Sequence, residues 1–320
     1  MHGLSAVYRK ELEDHFSSTR SILLLTVILM VSVLTAYTAG ASLKKDLEGI
    51  AKPSLVFLML FTSTGALFSL VQFVAFFGPL IGMVLGFDAI NRERSARTLS
   101  KLLSQPIYRD AVINGKFLAG MTTIALMLMA ILLLISGMGL LVLGVVPGWE
   151  EIGRLALYFL ISLFYIGFWL ALSILCSVVF RGVATSALAA LALWIFFAFF
   201  MALAARLASD IWAPVPGGAA EDADAIIAHE RVREAVATAS PITLYSSATA
   251  TILDPLRKTT RSLILMGPME QLSLSRFQSP LPLPQSMLIV APYLVLLVAI
   301  TLICFGICYA TFMRQEIRST

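Results

Sequence analysis

The side chains best suited to bind a metal or attack a substrate are three histidines, His2, His15 and His229, and three cysteines, Cys176, Cys304 and Cys308. Metal chemistry needs several such ligands converging on one point, and the histidines are scattered along the chain. Cys304 and Cys308 share a helix face at i and i+4, a poor arrangement for a structural disulfide. All three cysteines fall in apolar stretches, where a thiol is small hydrophobic filler. Most of the thirteen methionines lie in the same kind of stretch and read as packing, not copper ligands. No G-x-x-x-x-G-K-[ST] phosphate loop occurs. An intramembrane protease or lipid-modifying transferase would need His, Glu, Asp or Cys converging at membrane depth, and none is seen. We therefore expect no catalytic, cofactor-binding or metal-binding residue in this chain, and no enzyme activity of its own.

What remains is charge, and it is concentrated. Between Gly86 and Phe117 the run GFDAINRERSARTLSKLLSQPIYRDAVINGKF interrupts two long apolar stretches. After Asp88 the pattern predicts a helix continuing out of the preceding stretch and then a short second helix. Leu99, Leu102 and Leu103 give that second helix an apolar edge, Arg97, Lys101 and Gln105 face water, and Pro106 breaks it. A tether between two spans needs only a few residues, so an amphipathic helix here implies something to bind.

The elements that must carry this island are membrane spans. Hydrophobic residues make up 59% of the 320 residues and charged residues only 13%, where a soluble domain is about a quarter charged. Mean hydropathy is +0.90. Runs of roughly twenty apolar residues predict about six transmembrane helices, at 21–42, 65–90, 116–146, 155–180, 183–207 and 287–312. They must be helical, because an open strand in hydrocarbon leaves its backbone groups unpaired. The first is expected to be an uncleaved span and not a signal peptide, being longer than an h-region and preceded by Glu11, Glu13 and Asp14. The net charge of +4 is too small to point to nucleic acid.

Six spans put both termini on one side with the 88–116 loop and the Arg181–Gly182 turn. That side holds most of the short-loop lysines and arginines, so the positive-inside rule makes it cytoplasmic in a cell (inner, plasma) membrane. The domain reading is then a cytoplasmic amphipathic head at 1–20, spans 1–5 over 21–208 with the loop 88–116, an extracytoplasmic segment 209–286, and the last span with its tail at 287–320. The outer segment reads as two helices: 221–239, amphipathic through Ile226, Ile227, Val232 and Val236, and a second between Ser240, its cap, and Pro255, its stop. It is too small for a catalytic domain and suits a lid or a docking surface for an extracytoplasmic partner. Gln72, Ser162, Ser173, Thr185 and Ser186 are the polar residues left in the spans, expected to bond helix to helix. Ionisable groups appear only near span ends, at Asp88 and Arg206, so an ion pathway is not expected.

The island resembles the first cytoplasmic loop of ABC-2-type transporter permeases. The match is carried by Asp88, Ala89 and Ile90, by Glu93, by Thr98 and Leu99, by Leu102, Leu103, Ser104, Gln105 and Pro106, and by Gly115, Lys116 and Phe117. Ser240 and Pro241, Leu244 and Tyr245, and Leu253, Asp254 and Pro255 are similar to an element before that family's last span. Relatives include permeases of nitrous-oxide-reductase maturation. Where the family usually has Gly before Thr-Leu this chain has Arg97, and where an acidic residue often follows it has Ser100.

The resemblance implies an all-α integral membrane protein with the ABC-2 (type V exporter-like) permease fold, working as a dimer with a second copy or close relative. The loop 94–105 would be the coupling helix, docking on a separate cytoplasmic ABC ATP-binding subunit that holds ATP and Mg. Leu99, Leu102 and Leu103 would be buried in that contact. Asp88, Glu93, Arg94, Arg97, Thr98, Gln105, Pro106 and Arg109 would complete it, with Glu93, Arg94 and Arg97 pairing at its rim. The head, with Tyr8, Arg9, Lys10 and Glu11, would lie at the membrane lipid surface and touch the same subunit. A lipid-like or amphiphilic cargo moving outward is the expected substrate. The alternative is a non-transporting anchor that passes ATPase strokes to an envelope assembly or maturation system.

Overall fold

The computed structural model describes residues 2–46, 55–62, 69–98, 108–215, 223–255 and 280–315. Among them there is no strand, and six helical stretches are long and apolar enough to cross a membrane: Thr19–Lys45, Leu70–Ser95, Arg109–Leu143, Trp149–Val179, Val183–Trp212 and Leu283–Arg314. We number the helices α1 (His2–Ser17), α2 (Thr19–Asp46), α3 (Val56–Thr62), α4 (Leu70–Gly86), α5 (Asn91–Ser95), α6 (Arg109–Leu143), α7 (Trp149–Val179), α8 (Val183–Ile195), α9 (Met201–Trp212), α10 (Ala223–Thr238), α11 (Pro241–Leu253) and α12 (Leu283–Arg314). The spans are each longer than, or shifted from, the hydropathy runs, because helices continue past the apolar window until a cap stops them. Gly144 stops α6 in the left-handed conformation at φ 63°, as glycine does without a Cβ penalty.

α7 is the axis of the bundle. Tyr158, Ile161, Tyr165, Ile166, Trp169, Leu170 and Ile174 recur at helical spacing, and each is 1% exposed or less. Against this stripe α4 presents Gly78, Gly82 and Gly86, one glycine per turn. A Cβ on Gly82 would stand 2.7 Å from Ile166 O and 2.8 Å from Leu170 N, and one on Gly86 would stand 3.0 Å from Leu170 O. With no hydrophobic drive between helices in lipid, such close backbone approach is what holds two spans together, and Ser173 Oγ adds a bond to Met83 O at 2.9 Å. We expect Gly82→Ala to cost about 1–3 kcal/mol by overpacking. Gly137→Ala, where a Cβ meets nothing within 4 Å, is expected to be neutral or mildly stabilising. Thermal unfolding of the two variants side by side checks this.

Of the polar span residues, Ser162 and Ser173 bond to neighbouring helices. Gln72 instead closes a capping box with Ser69 at the start of α4, and Thr185 bonds locally to Gly182 O. Ser186 Oγ is buried without a partner.

Within 209–286, the second of the two expected helices packs inside the bundle and not outside it. α9 and α10 run antiparallel, with His229 Nδ1 3.0 Å from Ala213 O. The turn after α10 places Ser240 beside Phe197, at the middle of its span. There the Ser240 hydroxyl, expected to cap α11, donates to Phe197 O at 3.2 Å. The helix is a π turn at Phe196–Phe200, whose widened ladder exposes a carbonyl to a side-chain donor. α11 then returns inside the bundle. Leu244, Tyr245, Ala248, Ile252 and Leu253 are buried. Tyr245 stacks on Tyr165 with ring centroids 4.3 Å apart, and its hydroxyl bonds Tyr158 at 3.2 Å and Ser162 at 3.1 Å. The second helix is thus re-entrant, and its polar edge pairs within the core.

Candidate functional site

Both chain ends, the α4–α5 segment, the start of α6 and the α7–α8 turn meet at one end of the bundle. The chain leaves α4 at Phe87 and bends into α5, and two successive backbone donors, Ile90 N and Asn91 N, share the buried Ser177 Oγ at 3.0 and 3.1 Å. Asn91 Nδ2 donates to Gly182 O at 3.2 Å. Arg94 reaches across to Gln315 Oε1 at 2.9 Å, while Gln315 Nε2 donates to Val178 O at 2.7 Å. Arg109 Nη1 donates to Gln315 O at 3.1 Å. One glutamine after α12 therefore ties α5, α6 and α7 together.

α5 ends in a Schellman motif: Thr98 N bonds Glu93 O at 2.9 Å and Arg97 N bonds Arg94 O at 3.1 Å. That geometry demands a left-handed residue between them, and Arg97 adopts φ 55°. The family's usual glycine at this position has a physical reason, since glycine takes that conformation freely while another residue pays about 1–2 kcal/mol.

The head helix is fastened to α6. A Cβ on Gly115 would meet Val7 Cγ1 at 2.8 Å, so glycine here lets α1 lie close. Tyr8 Oη donates to Thr122 at 3.1 Å. Lys116, 5% exposed, donates to Glu11 Oε1 at 2.7 Å and Glu93 Oε1 at 3.1 Å, and Lys10 bonds the same two carboxylates at 3.2 and 3.3 Å. Phe117 stacks on Phe305 of α12 at 4.2 Å. The Gly-Lys-Phe triplet thus seats the head, charges the cluster and packs the last span. Burial alone would raise the Glu11 carboxyl, but Lys116 and Lys10 hold it below its ordinary value. Burial would lower Lys10, and the facing carboxylates raise it instead. His15, where burial dominates, is pushed down. Nearby, Arg20 pairs with Asp88 at 2.6 Å and lies over the Phe87 ring at 5.5 Å.

These contacts redistribute the expected coupling residues. Glu93 does not sit at a rim: it is 9% exposed and turned toward Lys116. Arg94 is half-buried and holds the chain's own carboxy-terminal stretch. Asp88 pairs with Arg20 inside the chain. Arg9, Arg97 and Thr98 are exposed. Leu99, Leu102, Leu103, Gln105 and Pro106 lie outside the described residues. Sequence reasoning passed over Ser177, Gln315 and the structural role of Lys116. A lone lysine and serine at the edges of apolar runs were the available signals.

It also passed over a second polar centre at the opposite end, where the span expected to begin at residue 155 leaves Arg154 just outside. Arg154 lies within α7, fully buried, and donates to Ile252 O at 2.9 Å, Ser286 Oγ at 3.2 Å, Glu150 Oε1 at 2.9 Å and Leu281 O. Its Nε has no partner. Beside it Glu151 accepts from Phe57 N at 3.1 Å and Gly148 N at 2.8 Å, so a buried carboxylate caps the first turn of α3.

Among the described residues no group of three or more His, Cys, Asp or Glu is placed to hold a metal ion, and the cysteines are buried and unpaired by disulfides. The arrangement is mechanical: polar groups lock separate helices into one unit at each end. The profile of the ABC-2 family transporter proteins matches residues 5–317. No curated protein matches the chain.

Proposed function

From the premise that this chain belongs to the ABC-2 transporter family, as the multi-pass membrane component, we propose that its α4–α5 segment transmits the stroke of a separate cytoplasmic ATP-binding subunit. On this reading the end that carries both termini faces the cytoplasm of the cell membrane. The observation that carries the proposal is the fastening of α5. Ser177, Gly182, Lys116 and Gln315 hold one side of it to α6, α7 and the end of α12, while Arg92, Ser95, Arg97 and Thr98 remain exposed on the other. A load applied to the exposed side moves α1, α4, α6 and α7 together, because interfaces packed this way shift as rigid bodies.

Leu99, Leu102 and Leu103 follow immediately and supply the apolar docking edge, Arg9, Arg97 and Thr98 the polar surround. ATP and Mg belong to the partner. Two copies of the chain, or this chain and a close relative, enclose the pathway, and the cargo is lipid-like or amphiphilic and moves outward. Two facts favour that cargo. The buried ionisable groups among the described residues gather at the two ends of the bundle, and the mid-span core around Tyr165 and Tyr245 is aromatic.

The test is co-purification with a co-expressed ABC ATP-binding subunit from the same organism. Leu99→Asp with Leu103→Asp is expected to strip off that subunit and lower ATPase activity at least tenfold while the permease keeps its melting behaviour. Unchanged association and activity would remove the coupling role.

A further inference from the structure

Between the head and the α4–α5 segment lies a cavity of about 380 Å³, within the range of small-molecule sites, about 300–1,000 Å³. One wall is apolar, formed by Val84 and Leu85 of α4 and Ile174 of α7. Ser18, Arg20 and Ser21, at the junction where α1 turns into the first span, line the same cavity. It therefore sits at the level of a membrane surface, open to polar and apolar groups at once. Four carboxylates line it with four lysines and arginines and His15.

Two of those charges have unfilled capacity. Glu93 lines the cavity, is 9% exposed, and its Oε2 accepts no hydrogen bond although Oε1 serves both lysines. Leaving a buried carboxylate oxygen unpaired is costly, so the site favours a ligand that brings a donor. Arg92 lines the cavity too, exposed, and its guanidinium has no partner among the described residues. A guanidinium in that position is suited to a phosphate. Asp14 is held only loosely, 3.8 Å from Lys10, and is a second acceptor.

We propose that this cavity binds the headgroup of an aminophospholipid of the adjoining leaflet, its phosphate on Arg92 and its primary ammonium on Glu93 and Asp14. The chemistry selects among lipids. A glycerol headgroup has hydroxyl donors but leaves the lipid with a net negative charge, which meets four carboxylates. A choline headgroup carries positive charge but no N–H to give. Ethanolamine supplies both charge and donors. The bound lipid bridges α1 to α5, and so tightens the segment assigned above to coupling. The surface location rests on the membrane orientation of that reading, but the binding does not need the ATP-binding subunit.

The experiment is native mass spectrometry of the full-length permease, purified free of phospholipid, titrated with phosphatidylethanolamine, phosphatidylcholine and phosphatidylglycerol of identical acyl chains. Phosphatidylethanolamine is expected to bind at least tenfold more tightly than either. Arg92→Gln, a surface change that leaves the melting temperature unaltered, is expected to weaken all three lipids at least tenfold, since each carries the phosphate, and Glu93→Gln to weaken the ethanolamine lipid selectively. Equal binding of the three lipids, affinities that Arg92→Gln leaves unchanged, or a preference that survives Glu93→Gln overturns the proposal. So does equally tight binding of soluble glycerophosphoethanolamine, which would make the site one for a free amino-phosphate. A negative result here leaves the ATPase co-purification untouched, so the two readings fail separately.

Discussion

Replacing Lys116 with methionine is expected to release the head helix. Lys116 is the buried cation between Glu11 and Glu93, and methionine keeps its length while removing its charge. Lys10 remains, but its side chain is half-exposed, and water competes for it. Two carboxylates sharing one oxygen-lined pocket then lack a buried counter-charge. Removing one partner from a buried ionic group typically costs about 3–5 kcal/mol, most of it the desolvation of the charge left behind. The readout is hydrogen exchange in α1. A loss of 3 kcal/mol corresponds to roughly a hundredfold faster exchange where opening is local. Adding Glu11→Gln and Glu93→Gln to the methionine variant is expected to recover much of the protection, because no unpaired charge is then buried. If α1 stays protected in the single variant, the cluster is not what fastens it. If the triple variant is worse than the single one, the cost comes from lost packing and not from charge.

That cluster marks the boundary of what the sequence discloses. The spans were readable because hydropathy acts over twenty residues at once, and all six appear close to their expected positions. The second begins at Leu70 and not near residue 65, since the Ser69–Gln72 capping box defines the helix start more sharply than apolarity does. Charges at the ends of apolar runs were the hard case. Lys116 and Arg154 each look like a residue at the edge of the membrane, and the positive-inside rule absorbs Lys116, while Arg154, at the opposite end, passes for one loop charge among the neighbouring glutamates. Whether such a residue faces water or a buried partner depends on residues far along the chain: Glu11 lies 105 positions from Lys116, and Ser286 lies 132 from Arg154. The same distance hid the burial of α11, a helix that was itself legible between Ser240 and Pro255. Thirteen residues are too few to read as a span, and the stacking of Tyr245 on Tyr165 has no local trace. The glycines of α4 were visible at a spacing of four, but their helix partner was not.

Arg97 shows the converse, a departure from the family pattern that the structure makes intelligible. A loop carrying arginine in place of glycine reads from sequence as a change of charge. The structure shows a backbone constraint first: the position closes a Schellman motif at φ 55°, and the arginine occupies it at a conformational cost. The charge is exposed as a consequence of where that turn aims it.

Arg154→Leu is expected to free the re-entrant helix at the other end. The guanidinium fork holds the last turn of α11 through Ile252 O, and the approach to α12 through Leu281 O and Ser286. Leucine fills part of the volume and offers no donor. The Ile252 carbonyl is then buried without this partner at about 1–3 kcal/mol and the part-buried Leu281 carbonyl loses less, while Glu150, nearly half exposed, returns to water at little cost. Against this stands the relief of an unpaired Nε, which is smaller than the loss of four bonds. The expected result is a clear fall in melting temperature together with new protease sensitivity within α11. Arg154→Lys is expected to be intermediate, because an ammonium keeps the charge for Glu150 but cannot span acceptors on two helices at once. A leucine variant as stable and as protease-resistant as the parent would show that α11 is held by the Tyr245 contacts alone. If the arginine is the latch, the lysine variant separates its charge from its reach. Reach is then the property that lets one residue of α7 set the positions of α11 and α12 together.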